Sequence, residues 1–463
     1  MRPDAYGIVT AYGSLHLARK AEQVPQGLRD IGSSKRTCPL CSLTPGIACI
    51  AIFQSIMYNV PERERSVYAA KKEGKLIMEE LIYVDRKHTD SVKWDNLESM
   101  FGRDDLLAMW VADMDFRAPE CVRKALHRYV EEGVFGYYSA PDSYYDAFLK
   151  WEEKHYGLKA EKEWIRFSPG VVAAFNWIIQ IMTKPGDSVI VMTPVYYPFM
   201  YAVQDNHRSL VTCDLINHEG TYTIDYEGFE QKIIENQVKL FIMCSPHNPV
   251  GRVWTREELK KVMDICRKHQ VFVISDEIHQ DLTYEGHQNI PTYMVGDYQD
   301  MMITLTAPSK TFNLAGAQNS VILIADQTLR DQWDRFTQGI RAKDGNAFGY
   351  IAAEAAYKDG EEWYEAVKAQ IIGNYHYLRD QLEEKLPKAV ISPLEGTYLA
   401  WIDLSACEDP EKIRDKVVNE CRLAVDFGDW FGGKRFQGFI RMNLATCREN
   451  VAEAVNALAT VFR

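Results

Sequence analysis

"KLFIMCSPHNPVGRVWTREELKKVMDICRKHQVFVISD", residues 239–276, decides the fold. Two apolar runs, "KLFIMC" and "VFVISD", open and close it, and each suits a strand covered on both faces. Between them Leu259, Val262, Met263, Ile265 and Cys266 recur at helical spacing. Thr255 is placed to cap that helix, and Glu257 and Glu258 favour its first turn. Strand, helix and strand in this order predict a right-handed crossover within a mostly parallel sheet.

The same rhythm extends outward. "SVIVM" (188–192), "MMITLT" (301–306) and "SVILIA" (320–325) are further short apolar runs rich in β-branched residues. The middle of the chain therefore reads as a large α/β domain. The C-terminal hundred residues change character, with helical stretches such as "WYEAVKAQIIGNYHYLRDQLEEKL" around the short strands "GTYLAWIDL" and "GFIRMNLA". They predict a smaller α+β domain.

At 463 residues the chain is long enough for two or more domains. A net charge of -12 argues against a general nucleic-acid surface. Residues 1–77 depart from the rest, with 11 Lys and Arg against 6 Asp and Glu and no sustained periodicity. They read as an extension, disordered or not native, with Met78 a candidate internal start. The ten cysteines are scattered through apolar segments, which fits reduced thiols in the cytoplasm. Cys38 and Cys41 form a lone C-x-x-C without a partner pair, so no metal site is expected. No run reaches the ~18 apolar residues of a membrane span.

In open α/β sheets ligands bind beyond the carboxyl ends of the strands, so the polar residues that follow the apolar runs matter most. "RFSPGVVAAFNWIIQIM" (166–182) is a turn followed by an apolar helix starting near Val171. It is either an ordinary loop or, through its free backbone N–H groups, a phosphate site. "CSPHNPVG" (244–251) holds Asn248 between two prolines, as a structural stop or as a rigidly placed amide donor. "VISDEIHQD" (273–281) runs from a buried strand into Asp276, which is either a cap or the counter-ion of a ligand nitrogen. "APSKTFNLAG" (307–316) then places Lys310 just past a strand, where a lysine is ordinarily solvated. Together these exits supply an amine, a counter-ion, a donor and an anion site, which are what pyridoxal 5'-phosphate requires.

From about Tyr83 to its end the chain resembles the MalY/PatB cystathionine β-lyase (C–S lyase) family. These are fold-type I pyridoxal 5'-phosphate (PLP) enzymes of the class I/II aminotransferase superfamily. "DRKHTDSVKWD", "MWVADMDF", "FGYYS", "SPGVV", "TPVYYPF", "SPHNPVGRVW", "SDEIHQDL", "APSKTFN", "EGTYLAW" and "GFIRMN" fall in the family's order. The resemblance implies an N-terminal arm and part of the small domain over 78–120, a large cofactor-binding domain over 121–369, and the rest of the small domain over 370–463. It implies that Lys310 binds the cofactor as an imine and that Asp276 pairs with its ring nitrogen. Asn248 donates to the phenolic oxygen and Tyr196 stacks on the ring. The Val171 and Val172 N–H groups, with Ser309, hold the phosphate. Tyr137 reaches the cofactor of a neighbouring subunit, which implies a homodimer with shared sites. Arg441 grips the substrate carboxylate, and Ala112 and Asp113 line the substrate entrance. Lys310, Asp276 and Asn248 are the expected catalytic residues.

Two positions depart from the aminotransferase pattern. Gln318 stands eight residues after Lys310, where aminotransferases commonly place a phosphate-gripping arginine; this favours the lyase branch. His279 stands where many carry a tyrosine, and whether it or Gln318 touches the cofactor stays open. The expected reaction is β-elimination from cystathionine or a cysteine-type substrate, giving a thiol, pyruvate and ammonia. The alternatives are transamination and a regulatory protein that keeps PLP as a ligand.

Overall fold

The computed structural model describes residues 79–463. The expectations for segment 1–77, for Met78 and for the Cys38/Cys41 pair lie outside the described residues.

Seven strands form the main sheet: β1 (Ile165–Ser168), β2 (Ser188–Thr193), β3 (Ser209–Asp214), β4 (Leu240–Cys244), β5 (Phe272–Asp276), β6 (Met302–Thr306) and β7 (Ser320–Leu323). Their order is β3-β2-β4-β5-β6-β7-β1. Neighbours from β3 to β6 pair in parallel. β7 pairs antiparallel with both β6 and β1, so it alone runs against the other six. The reversal has a local cause. Residues 307–319 hold only the short turns Pro308–Thr311 and Ala315–Ala317, and a parallel return needs a longer crossover, usually a helix.

The inner strands are buried on both faces, and their period of two divides them between two apolar clusters. Val189, Val191, Leu240, Ile242, Ile274, Ile303, Leu305 and Ile322 face one cluster. Ile190, Met192, Phe241, Met243, Val273, Met302 and Val321 face the other. Helix α1 (Val171–Met182) covers the first face through Val171, Ala174, Phe175, Ile178 and Ile179. Helix α2 (Arg256–Lys268) covers the second through the five residues read from its spacing. Thr255 and Glu258 close the capping box at its start. Burying each large side chain of these helices contributes about 1.5–3 kcal/mol.

Helix α3 (Glu361–Lys385) runs unbroken through the expected boundary at 369/370. Beyond it lies an antiparallel sheet of β8 (Val390–Ile391), β9 (Leu399–Asp403), β10 (Asp426–Phe427) and β11 (Phe439–Asn443), in the order β8-β9-β11-β10. Its register sets Trp401 on one side of Arg441 and Asp426 on the other. Leu107–Ala108 pairs in parallel with Leu423–Ala424, a separate two-stranded ladder just ahead of β10, and so brings "MWVADMDF" beside this second sheet. Among the described residues no helix is long and apolar enough to cross a membrane.

Candidate active site

Cys244 lies opposite Asp276, and Asp276 opposite Leu305, so β4, β5 and β6 end at one level. Asn248, Asp276 and Lys310 therefore leave three adjacent strands at a common edge. All of Asp276 but 2% is buried. Its carboxylate accepts the Ile278 N–H at 3.1 Å, so the turn-capping role and the buried acid coexist in one residue. Burial pushes its carboxyl up to about 7, against the pull of that N–H and of the Lys310 ammonium. Burial acts on Lys310 in the opposite sense and lowers its ammonium to about 8. Asp113 and Asp276 resist that shift and Arg441 adds to it. The Lys310 Nζ donates to the Ala112 carbonyl at 2.7 Å.

Arg441 enters from β11 and is 2% exposed. Its Nη1 donates to Asn248 Oδ1 at 3.0 Å and its Nη2 to the Trp110 carbonyl at 3.2 Å. Nη2 also pairs with the Asp426 carboxylate. The Phe431 ring lies 5.0 Å from the guanidinium carbon. Since Arg441 takes the amide oxygen of Asn248, what the amide has left to offer a ligand is its NH₂ donor.

Residues 110–116 bind the two sheets together, and every successive carbonyl accepts a hydrogen bond. Trp110 accepts from Arg441, Val111 from Asn443 and the Asp113 N–H, Asp113 from Asn443, and Ala112 from both Lys310 and the Tyr398 hydroxyl. Met114 accepts from Arg86 and Asn313, Asp115 from the Val84 N–H, and Phe116 from Asn313. Ala112 and Asp113 thus sit beside Lys310. Arg86 Nη2 holds Asp113 Oδ2 at 2.8 Å, while Asp113 Oδ1 is buried with no partner among the described residues.

The remaining expected residues occupy distinct places. Gly170 caps α1 with no side-chain hydrogen bond and the first turn carries no acid, so its leading N–H groups face an uncompensated dipole. Val171 is buried and Val172 is exposed at the same turn. Tyr196 gives its backbone N–H to the Asn248 carbonyl at 3.1 Å, which ties the β2 and β4 exits together. Ser309 is partly buried next to Lys310. Tyr137 is fully exposed. His279 is buried 5.8 Å from the Tyr398 ring, with Nδ1 unpartnered among the described residues; burial and the Lys310 and Arg441 cations hold it neutral. Gln318 is exposed, on a left-handed backbone with φ of 50°.

Sequence reasoning gave no role to Asp426, Asn443, Asn313, Tyr398 or Arg86. Of these, Arg86, Asn313, Tyr398 and Asn443 lie within stretches already singled out. Their function is legible only once the segment they hold is seen beside them.

A buried acid with no ion-pair partner among the described residues, a partly buried lysine displaced toward its neutral form, an amide whose oxygen is already taken and an uncapped helix start make up a set of groups suited to PLP. Among the described residues no group of His, Cys, Asp and Glu is arranged to hold a metal. A family model for aminotransferase class I and II matches residues 105–458. The chain is 39% identical over 382 residues to cystathionine beta-lyase PatB of Bacillus subtilis, covering 81% of this chain and 98% of that one. Cystalysin from Treponema denticola, solved with pyridoxal 5'-phosphate, aligns with a TM-score of 0.79 at 34% identity over 82% of this chain and 97% of its own. The PLP-bound C-S lyase from Staphylococcus hominis aligns with a TM-score of 0.77 at 33% identity, over 82% and 97%.

Proposed function

The chain belongs to the class I and II aminotransferase family, and on that premise we propose that it is a PLP-dependent carbon–sulfur β-lyase acting on cystathionine or a cysteine-type substrate. The observation that carries this reading is its identity to cystathionine beta-lyase PatB along nearly the whole of that protein.

Asp276 would hold the protonated ring nitrogen, Asn248 the phenolic oxygen, Tyr196 the ring face, and Val171, Val172 and Ser309 the phosphate. Bound in this way, PLP supplies an electron sink for the broken Cα–H bond. Arg441 would orient the substrate through its carboxylate. Lys310 would remove the α-proton, a step typically worth ~10²–10⁴-fold. Its pKa of about 8 leaves part of it unprotonated near neutral pH. The Ala112 carbonyl, 2.7 Å from Nζ, would hold the resulting ammonium. The products would be a thiol, pyruvate and ammonia.

We place the enzyme in the cytoplasm, in keeping with its free cysteines at 213, 244, 266, 421 and 447, all buried. We also infer a homodimer. Val134, Phe135, Tyr137 and Phe348 are exposed on one side, with the Phe135 and Phe348 rings 5.9 Å apart, and a second copy would cover such a face. Tyr137 would then reach the partner's cofactor.

Incubation of the holoenzyme with L-cystathionine and no 2-oxo acid tests the lyase reading. Pyruvate release supports it. A strict requirement for 2-oxoglutarate would make the protein an aminotransferase instead.

A further inference from the structure

Arg441 does not stand free for a substrate carboxylate, because the second sheet already presents it with one. β10 and β11 are antiparallel, and their register places Asp426 directly opposite Arg441. Directly opposed residues point to the same face with Cβ atoms about 4.5–5.5 Å apart, so the contact is built into the strand pairing. Both side chains are inside the protein, 3% and 1% exposed. The pair is engaged on one side only: Asp426 Oδ2 meets Nη2, while Asp426 Oδ1 and Arg441 Nε are buried with no partner among the described residues. Nη2 gives its second proton to the Trp110 carbonyl, and Nη1 gives one to Asn248. A carboxylate bridging the two Nη atoms would therefore displace a present partner of Nη2 and lie near the Asp426 charge. Two carboxylates sharing one guanidinium out of water repel each other.

We propose that Asp426 is an internal competitor for Arg441, a specificity-setting residue that weakens the grip on every substrate carboxylate. The proposal rests on Arg441 being the carboxylate-binding residue of the lyase reading. Its physical content is that the site holds substrate through an arginine whose charge is already partly met, which favours release over tight binding. A contact made equally in ground and transition state moves KM and leaves kcat behind. Removing the competing charge should therefore act on KM.

The test uses purified holoenzyme with Asp426→Asn, which keeps the side-chain shape and a hydrogen-bond acceptor. Each protein is assayed on an S-alkyl-L-cysteine and on the α-carboxamide of the same compound. Asp426→Asn should lower KM for the acid about tenfold, equivalent to about 1.4 kcal/mol. It should leave the carboxamide unaffected, so that the acid-to-amide ratio of kcat/KM rises by the same factor. That ratio is taken within one preparation and does not depend on the fraction folded, so a merely structural role would not move it. An unchanged or lower ratio overturns the proposal. Arg441→Lys, run alongside, should collapse the ratio. If it does so while Asp426→Asn gives no gain, the competitor is wrong and the Arg441 reading stands. If Arg441→Lys leaves the ratio flat, the Arg441 reading falls and takes the proposal with it.

Discussion

Replacing Asp276 by Asn should make the cofactor-free protein more stable and the loaded enzyme worse. The carboxyl lies at the end of β5, 2% exposed, with one hydrogen bond from Ile278. Its displacement from 3.8 to about 7 corresponds to about 4 kcal/mol carried against the charged form. The folded carboxyl binds its proton more tightly than the unfolded one, so folding stability falls as pH rises from about 4 to about 7. Above that window the whole cost is present. Asn removes it, and for a chain of this size, with an unfolding entropy of roughly 1 kcal/mol per degree, the gain is about 4 °C in Tm at pH 8. In the loaded enzyme the same change deletes the partner of a protonated ring nitrogen. A charge-assisted hydrogen bond is worth about 1.5–3 kcal/mol, so PLP affinity should drop about 10–100-fold, with most of the turnover. The assay is a pair of thermal melts at pH 8, with and without saturating PLP, alongside a cofactor titration. The reasoning fails if the cofactor-free variant melts below the wild type at pH 8, or if the loaded variant keeps full activity.

Three other changes probe separate parts of the structure. Lys310→Ala should abolish pyruvate release and the visible absorbance of covalently held cofactor; retained turnover would place the reactive amine elsewhere. Asn443→Ala strips the Val111 and Asp113 carbonyls of donors at 2.7 and 2.6 Å; Val111 keeps the Asp113 N–H at 2.9 Å, and the Asp113 carbonyl left alone costs about 1–3 kcal/mol. It should raise KM for the amino acid well before it lowers PLP affinity, as steady-state kinetics and a cofactor titration would show. Phe175→Ala, in the α1 core at 0% exposure, should cost about 3–5 kcal/mol in denaturant unfolding while leaving the KM of the surviving enzyme unchanged.

The parallel core was legible because β2, β4, β5 and β6 are buried on both faces and so appear as unbroken apolar runs. The edge strands were not. β1 reads "IRFS" and β3 reads "SLVTCD", where one-sided exposure dilutes the apolar signal. Lys310, Asp276 and Asn248 could be singled out because Asp276 ends its strand and the other two follow theirs within four residues, so local order brings them to one edge. Asp426 could not. It meets Arg441 through an antiparallel register fixed by packing across β10 and β11, and nothing near "AVDFGDW" announces which residue will lie opposite. Lys93 makes the same point: it is wholly buried against Asp115 at 2.7 Å, yet its neighbours in sequence are those of an ordinary surface helix.

The chain from Trp110 to Phe116 has no backbone acceptor to spare. All seven consecutive carbonyls are moored, Val111 and Asp113 both to Asn443 and Met114 and Phe116 both to Asn313, so inserting or deleting one residue would misalign every later attachment at once. Such a segment is inherited whole or lost whole. New substrate preferences in proteins of this build should therefore arise by exchanging side chains around an unchanged main-chain path, and a library built on loop-length variation at 110–116 should yield no active members.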